Sequence, residues 1–241
     1  MSDECRPVLP VSILYQDEVL VAIDKPAGMI VHPGREVEGP EWVAMKRVRD
    51  MLGRQVHTVH RLDRPTSGVL LFALDLDSCA RVQQCFEKRL VEKTYLAVVE
   101  GTTPERWTCE TPLHRVPEEA PQPAKTDFER IAVLPAGSFG RQPQLSLSLL
   151  KVSPYTGRYH QIRRHLLEAG HPIIGDFRYA GADRSMELGE LLGTGTRMLL
   201  QAKSLQLPHP HTGEMIEITA PADVDFLRCF PELDQELRPV S

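Results

Sequence analysis

Apolar positions along this chain fall in short blocks whose period changes repeatedly, the pattern of a mixed fold. Val11–Tyr15 and Val19–Ile23 read as two short strands around the turn Gln16-Asp17-Glu18. Lys25-Pro26-Ala27-Gly28 breaks that pattern and opens a loop ending near Gly34. Over Glu41–Leu52 the period becomes helical, with Trp42, Met45, Val48 and Leu52 on one face and Gly53 as the stop. Val69–Leu74 is wholly apolar and reads as a buried strand. A helix follows from Asp77, with Cys79, Val82, Phe86 and Leu90 at helical spacing, and Thr94–Val99 is again a strand, ended by Gly101.

The second half is more broken. Pro104 to Pro123 holds five prolines and reads as an irregular excursion with room for one short strand. Leu145-Ser146-Leu147-Ser148-Leu149 alternates, which predicts a half-buried antiparallel strand running to Val152. Tyr159–Ala169 reads as a helix with Tyr159, Ile162, Leu166 and Ala169 on one face and Gly170 closing it. Arg197–Leu207 and Met215–Thr219 form a closing hairpin across Pro208–Glu214. Strands outnumber helices and the links are short, so the expectation is an α+β fold: a mixed, mainly antiparallel sheet flanked by helices. The expected division is a short extension over 1–10 and one domain over 11–241.

Composition narrows the class. Proline is 20 of 241 residues, against a usual share of about 5%, which fits many short elements and excludes a coiled coil. The 41% of apolar residues can fill one sizeable core, and 25% charged residues exclude disorder along the whole chain. No apolar run approaches the ~18 residues of a membrane-spanning helix. Met1-Ser2-Asp3-Glu4-Cys5 has neither the basic start nor the apolar core of a secretory signal, so the expected setting is cytoplasmic, away from membranes. Five cysteines without a Cys-x-x-Cys pair read as reduced thiols. No zinc-ligand spacing, zinc-deaminase signature or His-Glu-x-x-His occurs, and Gly193-Thr194-Gly195 lacks the strand that a phosphate cradle needs.

Charge changes the picture. The net charge of −5 argues mildly against a nucleic-acid partner, yet it hides a local asymmetry. Glu41–Gly68 carries six basic residues (Lys46, Arg47, Arg49, Arg54, Arg61 and Arg64) against three acids, with His57 and His60 besides. Lys151–Asp176 carries Lys151, Arg158, Arg163 and Arg164 against Glu168 and Asp176, with histidines at 160, 165 and 171. Glu214–Arg238, in contrast, holds seven acids and two arginines. Screening limits charges to a reach of ~8–10 Å, so a basic surface on an acidic protein can still hold phosphates.

Three residues stand out within the basic segments. Asp63 lies between Arg61 and Arg64 in His60-Arg61-Leu62-Asp63-Arg64-Pro65-Thr66-Ser67-Gly68, just before the buried strand. Such a loop can be a plain turn, or it can hold a carboxylate ionised and nucleophilic among cations. Arg163 borders the buried face of its helix, where it either snorkels to water or pairs with a carboxylate in a cleft. His160 and Arg164, four apart, are expected to face solvent or phosphate together. Tyr95 is an aromatic in a strand whose same-face neighbour is Lys93, odd for a pure core face.

At these residues the chain resembles the RluA-like pseudouridine synthase family. His60–Gly68 and the strand after it resemble that family's catalytic-aspartate motif. Lys93–Gly101 is similar to its tyrosine motif, and Thr156-Gly157-Arg158-Tyr159-His160-Gln161-Ile162-Arg163 to its basic motif. Supporting blocks are Lys25–Gly28, His171–Asp176 and His209–Gly213, all in family order from about Ile13 to Thr219. One departure is Gln201 in Arg197-Met198-Leu199-Leu200-Gln201-Ala202, where the family usually has histidine; it is expected to leave catalysis intact.

The resemblance implies the family's catalytic fold and isomerisation of uridine to pseudouridine in RNA, with no cofactor and no metal. It makes Asp63 the nucleophile, attacking either ribose C1′ or uracil C6. Arg163 would pair with Asp63, and Tyr95 would stack on the uracil. Arg61 would fill the space of the flipped nucleotide, and His60, Arg64, Arg158, His160, Gln161, Arg164 and Leu200 would complete the RNA-facing surface. Ile13–Glu18, Val48-Arg49-Asp50 and Gln161–Leu166 are similar to a branch of the family that modifies a uridine in the tRNA T-stem. No ribosomal S4-type RNA-binding module is expected, and the expected partner is tRNA ahead of rRNA, acted on by a monomer. The rivals are an rRNA or dual-specificity synthase, a non-catalytic RNA-binding protein or chaperone, and a metal-dependent nuclease, which would need clustered carboxylates.

Overall fold

The computed structural model describes residues 10–33, 39, 42–116 and 119–231. In chain order the elements are β1 Ser12–Gln16, β2 Leu20–Lys25, α1 Ala44–Leu52, β3 His57–Thr58, β4 Ser67–Ala73, α2 Leu76–Glu87, β5 Glu92–Glu100 and β6 Arg106–Cys109. Then come β7 Thr126–Leu134, β8 Leu147–Pro154, α3 Gln161–Glu168, α4 Ala182–Leu192, β9 Leu200–Pro208, β10 Met215–Thr219 and α5 Val224–Cys229. Among the described residues ten strands form one sheet in the order β1-β2-β4-β9-β5-β8-β7-β6, with β3 on β4 and β10 on β9. The fold is α+β, as expected.

Every strand pair is antiparallel except β4 with β9. That parallel ladder covers only Ser67↔Gln201 and Gly68↔Ala202, after which β4 turns to β3 and β9 to β10. The strands therefore diverge, and the sheet has a seam where its two halves touch briefly. Gly68 makes the contact possible: its φ is +100°, and a Cβ there would lie 2.1 Å from the Ala202 carbonyl oxygen. The loop carrying Asp63 enters β4 at this seam.

Alternation sends successive side chains to opposite faces. On the front face, Val21, Ile23, Leu70 and Phe72 pack on Ala44 and Val48 of α1, while Ala97, Val99, Leu150 and Val152 pack on Ile162 and Leu166 of α3. Tyr95 touches both clusters and so stands between them. On the back face, α2 covers Leu20, Val69 and Leu71, and α4 and α5 cover Leu96, Val98, Leu147 and Leu149. No helix among the described residues is long and apolar enough to cross a membrane.

Several expectations need correction. β8 is buried on both faces apart from the exposed Lys151 and the partly buried Ser153, because α3 lies in front and α4 and α5 behind. Ser148 tolerates this by donating to the Gly101 carbonyl (2.8 Å) and accepting from the Thr103 amide (3.1 Å). α2 ends at Glu87, and Leu90 is half exposed beyond it. α3 starts at Gln161, two residues later than its periodicity suggests, because His160 has φ 53° and cannot continue a right-handed helix. Gly34, Glu41, the first nine residues and the acids beyond 231 lie outside the described residues.

Candidate active site

The Asp63 loop is held by its backbone, and donors come from three directions. The fully buried Lys25 ammonium donates to the carbonyls of Pro26 (2.9 Å), Met29 (2.8 Å) and Arg64 (3.2 Å). The Gly28 amide also donates to the Arg64 carbonyl at 2.8 Å. From behind, Arg197 donates to the Pro65 carbonyl at 3.0 Å and to Ser67 Oγ at 2.6 Å, and pairs with Asp223 at 2.6 Å. Burial, followed by the charge of Arg197, pushes Lys25 down to about 7 although Asp63 and Asp24 oppose it. Burial also works against the Asp223 carboxylate, but Arg197 outweighs it and keeps the group below the usual range.

With its backbone fixed, the Asp63 carboxylate projects to the front with 20% of its side chain exposed. There it meets Arg163, whose Nη1 lies 3.4 Å from Asp63 Oδ2. The rest of that guanidinium is committed: Nε and Nη2 donate to the two oxygens of Asp176 at 2.7 and 2.8 Å. Asp176 Oδ1 also accepts from the amides of Arg178 and Tyr179, at 3.2 Å each. This two-point fork fixes the plane of the guanidinium and leaves one edge for Asp63. Burial opposes the Arg163 charge, but the bonds and charge of Asp176, followed by Asp63, raise its pKa further.

His160 completes the cluster. Its Nε2 lies 3.2 Å from Arg163 Nη1 and 3.7 Å from Asp63 Oδ2, and its Nδ1 lies 3.0 Å from the Tyr179 hydroxyl. Arginine can only donate, so Nε2 is the acceptor and Nδ1 carries the proton. Burial first, then the charges of Arg163 and Arg178, push the imidazole down to about 4 against the pull of Asp63, so it is neutral at pH 7. Tyr95 stands beside Asp63 in charge: burial and then the carboxylate raise its phenol pKa. The phenol therefore stays protonated at neutral pH, suited to stacking and donating and poorly suited to acting as a base.

The structure thus brings together Asp63, Arg163, His160 and Tyr95. Arg61 and Arg64 are exposed on the same loop, Arg64 Nε donating to the Gly28 carbonyl at 3.1 Å. Among the described residues Arg61 has no hydrogen-bond or ion-pair partner. Three expected RNA contacts are taken up within the protein instead, Gln161 and Leu200 buried and His60 partly so. His60 Nε2 accepts from the Leu71 amide (2.9 Å), filling the edge that β4 exposes between β9 and β3, and its ring stacks on Phe86. Burial, then Lys93, pushes its pKa down to about 3. Gln161 is buried, donating to the Lys125 carbonyl and Thr126 Oγ1 (2.9 Å each) and accepting from Thr156 Oγ1 (2.6 Å). Leu200 packs in the front core.

Arg158 and Arg164 donate to the carbonyls of Pro123 (3.2 Å) and His114 (2.7 Å). With the 3.0 Å contact of His165 Nε2 to the Thr111 carbonyl, they dock the proline-rich excursion on α3. Gln201 lies behind the sheet, its amide donating to the Pro221 carbonyl at 2.8 Å, away from Asp63. Residue-by-residue reading missed the roles of Lys25, Asp176, Arg197 and Asp223. The available signal for Asp176 and Lys25 was their place in the supporting blocks.

Comparison with known proteins identifies the family. The family model for RNA pseudouridylate synthase matches residues 19–168. tRNA pseudouridine synthase C of Haemophilus ducreyi (strain 35000HP) is 38% identical over 232 residues, covering 92% of this chain and 95% of that protein. The protein of the same name from Pectobacterium carotovorum subsp. carotovorum is 39% identical over 226 residues, which are 89% of this chain and 60% of that relative's length. Among solved structures, human RNA Pseudouridylate Synthase Domain Containing 4 superposes with a TM-score of 0.71 at 26% identity, covering 92% of each chain. A family-model match over residues 19–168, with relatives at 38–39% identity aligned along almost all of the sequence, makes this chain an enzyme of the RNA pseudouridylate synthase family.

Proposed function

We propose that this enzyme converts a uridine of the tRNA T-stem to pseudouridine, with Asp63 attacking a nucleotide flipped into the front-face seam. The observation that carries the reading is the half-buried Asp63 carboxylate 3.4 Å from an arginine whose other edge is locked by Asp176. A protein that only binds RNA gains nothing from a carboxylate aimed among cations, since it repels phosphate. The tRNA target is supported by the names of the relatives and by the resemblance of Ile13–Glu18, Val48-Arg49-Asp50 and Gln161–Leu166 to the T-stem branch.

Attack by Asp63 at ribose C1′ or at uracil C6 leads to the same balance. The N1–C1′ bond breaks, the uracil turns, C5 bonds to C1′, the hydrogen of C5 leaves as a proton, and N1 takes up a proton in its place. Asp63 is released unchanged, so the isomerisation needs no oxidant or co-reactant. Tyr95 stacks on the base, and Arg163 pairs with the carboxylate and aims it. Extruding the nucleotide costs a few kcal/mol, offset by that stacking and by Arg61 entering the vacated space.

The test is tritium release from tRNA and, separately, rRNA, each labelled at uracil C5, using the intact protein and Asp63→Ala. Release from tRNA alone, abolished in the variant, is the expected result. Release from rRNA alone would move the substrate, and no release with RNA binding retained would leave an RNA-binding protein.

A further inference from the structure

The spacing of Tyr159 with Ile162 and Leu166 predicts a buried helical ring. In the structure Tyr159 precedes α3, and the residue is 40% exposed. The ring is nevertheless fixed. It lies nearly parallel to the His160 imidazole, with centroids 3.8 Å apart and planes 19° apart. That imidazole touches Arg163 and approaches Asp63 to 3.7 Å. Arg178 Nη1 lies 3.3 Å from the Tyr159 hydroxyl while its guanidinium carbon is 5.9 Å from the ring centroid. The cation therefore stands at the hydroxyl end of the ring, and the ring face away from His160 is not covered by it.

Burial alone does not account for this arrangement, because 40% of the residue stays in solvent. Nor does local backbone preference: His160 adopts the left-handed region that non-glycine residues seldom occupy, with φ 53°. Residues held in that region cluster where the surrounding structure fixes them for a purpose. Here the bend does two things at once. It turns the imidazole toward Asp63 and Arg163, and it lays Tyr159 flat on the outer side of that imidazole, one ring from the reacting carboxylate.

We propose that the outer face of Tyr159 is a stacking platform for the RNA base next to the flipped uridine, with Arg178 beside it for that nucleotide's phosphate. The proposal rests on the functional reading above and adds a recognition site to it. When a uridine leaves its stack, the neighbouring base loses a covered face, and a fixed aromatic ring restores that cover. Unpaired bases are commonly held on aromatic side chains with an arginine nearby, a contact that tolerates any base because every base has a π face. The platform thus acts on affinity and placement of the strand, whereas Asp63 acts on the bond.

The test measures C5-tritium release from a tRNA transcript by the intact enzyme and by Tyr159→Ala, Tyr159→Phe and Tyr159→Trp. It is repeated on transcripts in which each nucleotide flanking the modified uridine is made abasic in turn. Tyr159→Ala should raise KM on the order of tenfold with kcat within about twofold, and the aromatic replacements should stay near the intact enzyme. One abasic transcript should raise the KM of the intact enzyme to the same degree and that of Tyr159→Ala no further. An unchanged KM in Tyr159→Ala overturns the proposal, as does a penalty that persists undiminished on every abasic transcript, which would mean contact with the backbone alone. Absence of release by the intact enzyme overturns the functional reading and the platform together; release with either of the other failures overturns the platform only.

Discussion

Two buried arginines grip the loop from Asp63 to Ser67, and they differ in what remains of the guanidinium. Behind the sheet, the two terminal nitrogens of Arg197 are fully engaged: Asp223, Ser67 Oγ and the Pro65 and Met198 carbonyls take their donors. In front, Arg163 gives two nitrogens to Asp176 and keeps the third for Asp63 and His160. Burial, charge and an acidic partner are common to both, so none of these separates a fastener from a working group. The difference is the remaining donor, aimed at a carboxylate that solvent and substrate can still reach. Arg197 holds the backbone of the loop, and Arg163 meets the side chain of its aspartate.

Substitutions at the two arginines should therefore separate rate from stability. The largest effect is expected at Arg163. Arg163→Lys keeps a charge for Asp176 but loses the rigid third donor, so the rate of tritium release should fall about 10²- to 10³-fold with little change in melting temperature. Arg197→Met should do the reverse. It leaves Asp223 buried without its cation, which costs about 3 kcal/mol, a drop of ~10 °C in calorimetry. Well below that melting point its kcat should fall far less than that of Arg163→Lys, and Arg197→Met with Asp223→Leu should recover most of the loss. If Arg197→Met proved the slower enzyme at full folding, the contrast between the two arginines would break.

A smaller effect sharpens the distinction between scaffold and site at His60. Its pKa is pushed down to about 3 in the fold, so the unfolded chain takes up a proton first as pH falls below 6.5. Stability contributed at neutral pH should therefore be lost between pH 6.5 and about 3, by up to ~1.4 kcal/mol per pH unit. His60→Gln keeps an acceptor for the Leu71 amide without the titration. The stability difference between the two proteins, measured by urea unfolding, should be flat above pH 6.5 and shift against the intact protein below it. A difference independent of pH would mean that His60 is solvated in the folded state.

The sequence made β2, β4, β5, α2 and the closing hairpin legible because their apolar blocks meet one or two faces of the core without interruption. β7 escaped because Glu129 and Arg130 interrupt it and its register slips between Arg130 and Ala132. α4 escaped because a glycine sits within it: Gly189 lies so close to Gly195 that a Cβ would be 1.8 Å from the Gly195 carbonyl oxygen. At the site, Asp63 and Tyr95 were legible as polar groups at apolar strands, and Arg163 as one bordering the apolar face of its helix. Their supports were not, since a buried lysine looks like any surface lysine until the fold closes around it. The pairing of Arg163 with Asp63 spans 100 residues, and no local pattern encodes that.

The central claim is that one carboxylate, positioned from behind by Arg197 and aimed from the front by Arg163, performs the isomerisation. Single-turnover tritium release by Asp63→Asn against the intact enzyme, at equal occupancy of C5-labelled tRNA, tests it most directly because the amide keeps the shape and removes the charge. The expected result is a rate lower by at least about 10⁴-fold with tRNA affinity little changed. Release within tenfold of the intact enzyme would contradict the account and place the attacking group elsewhere.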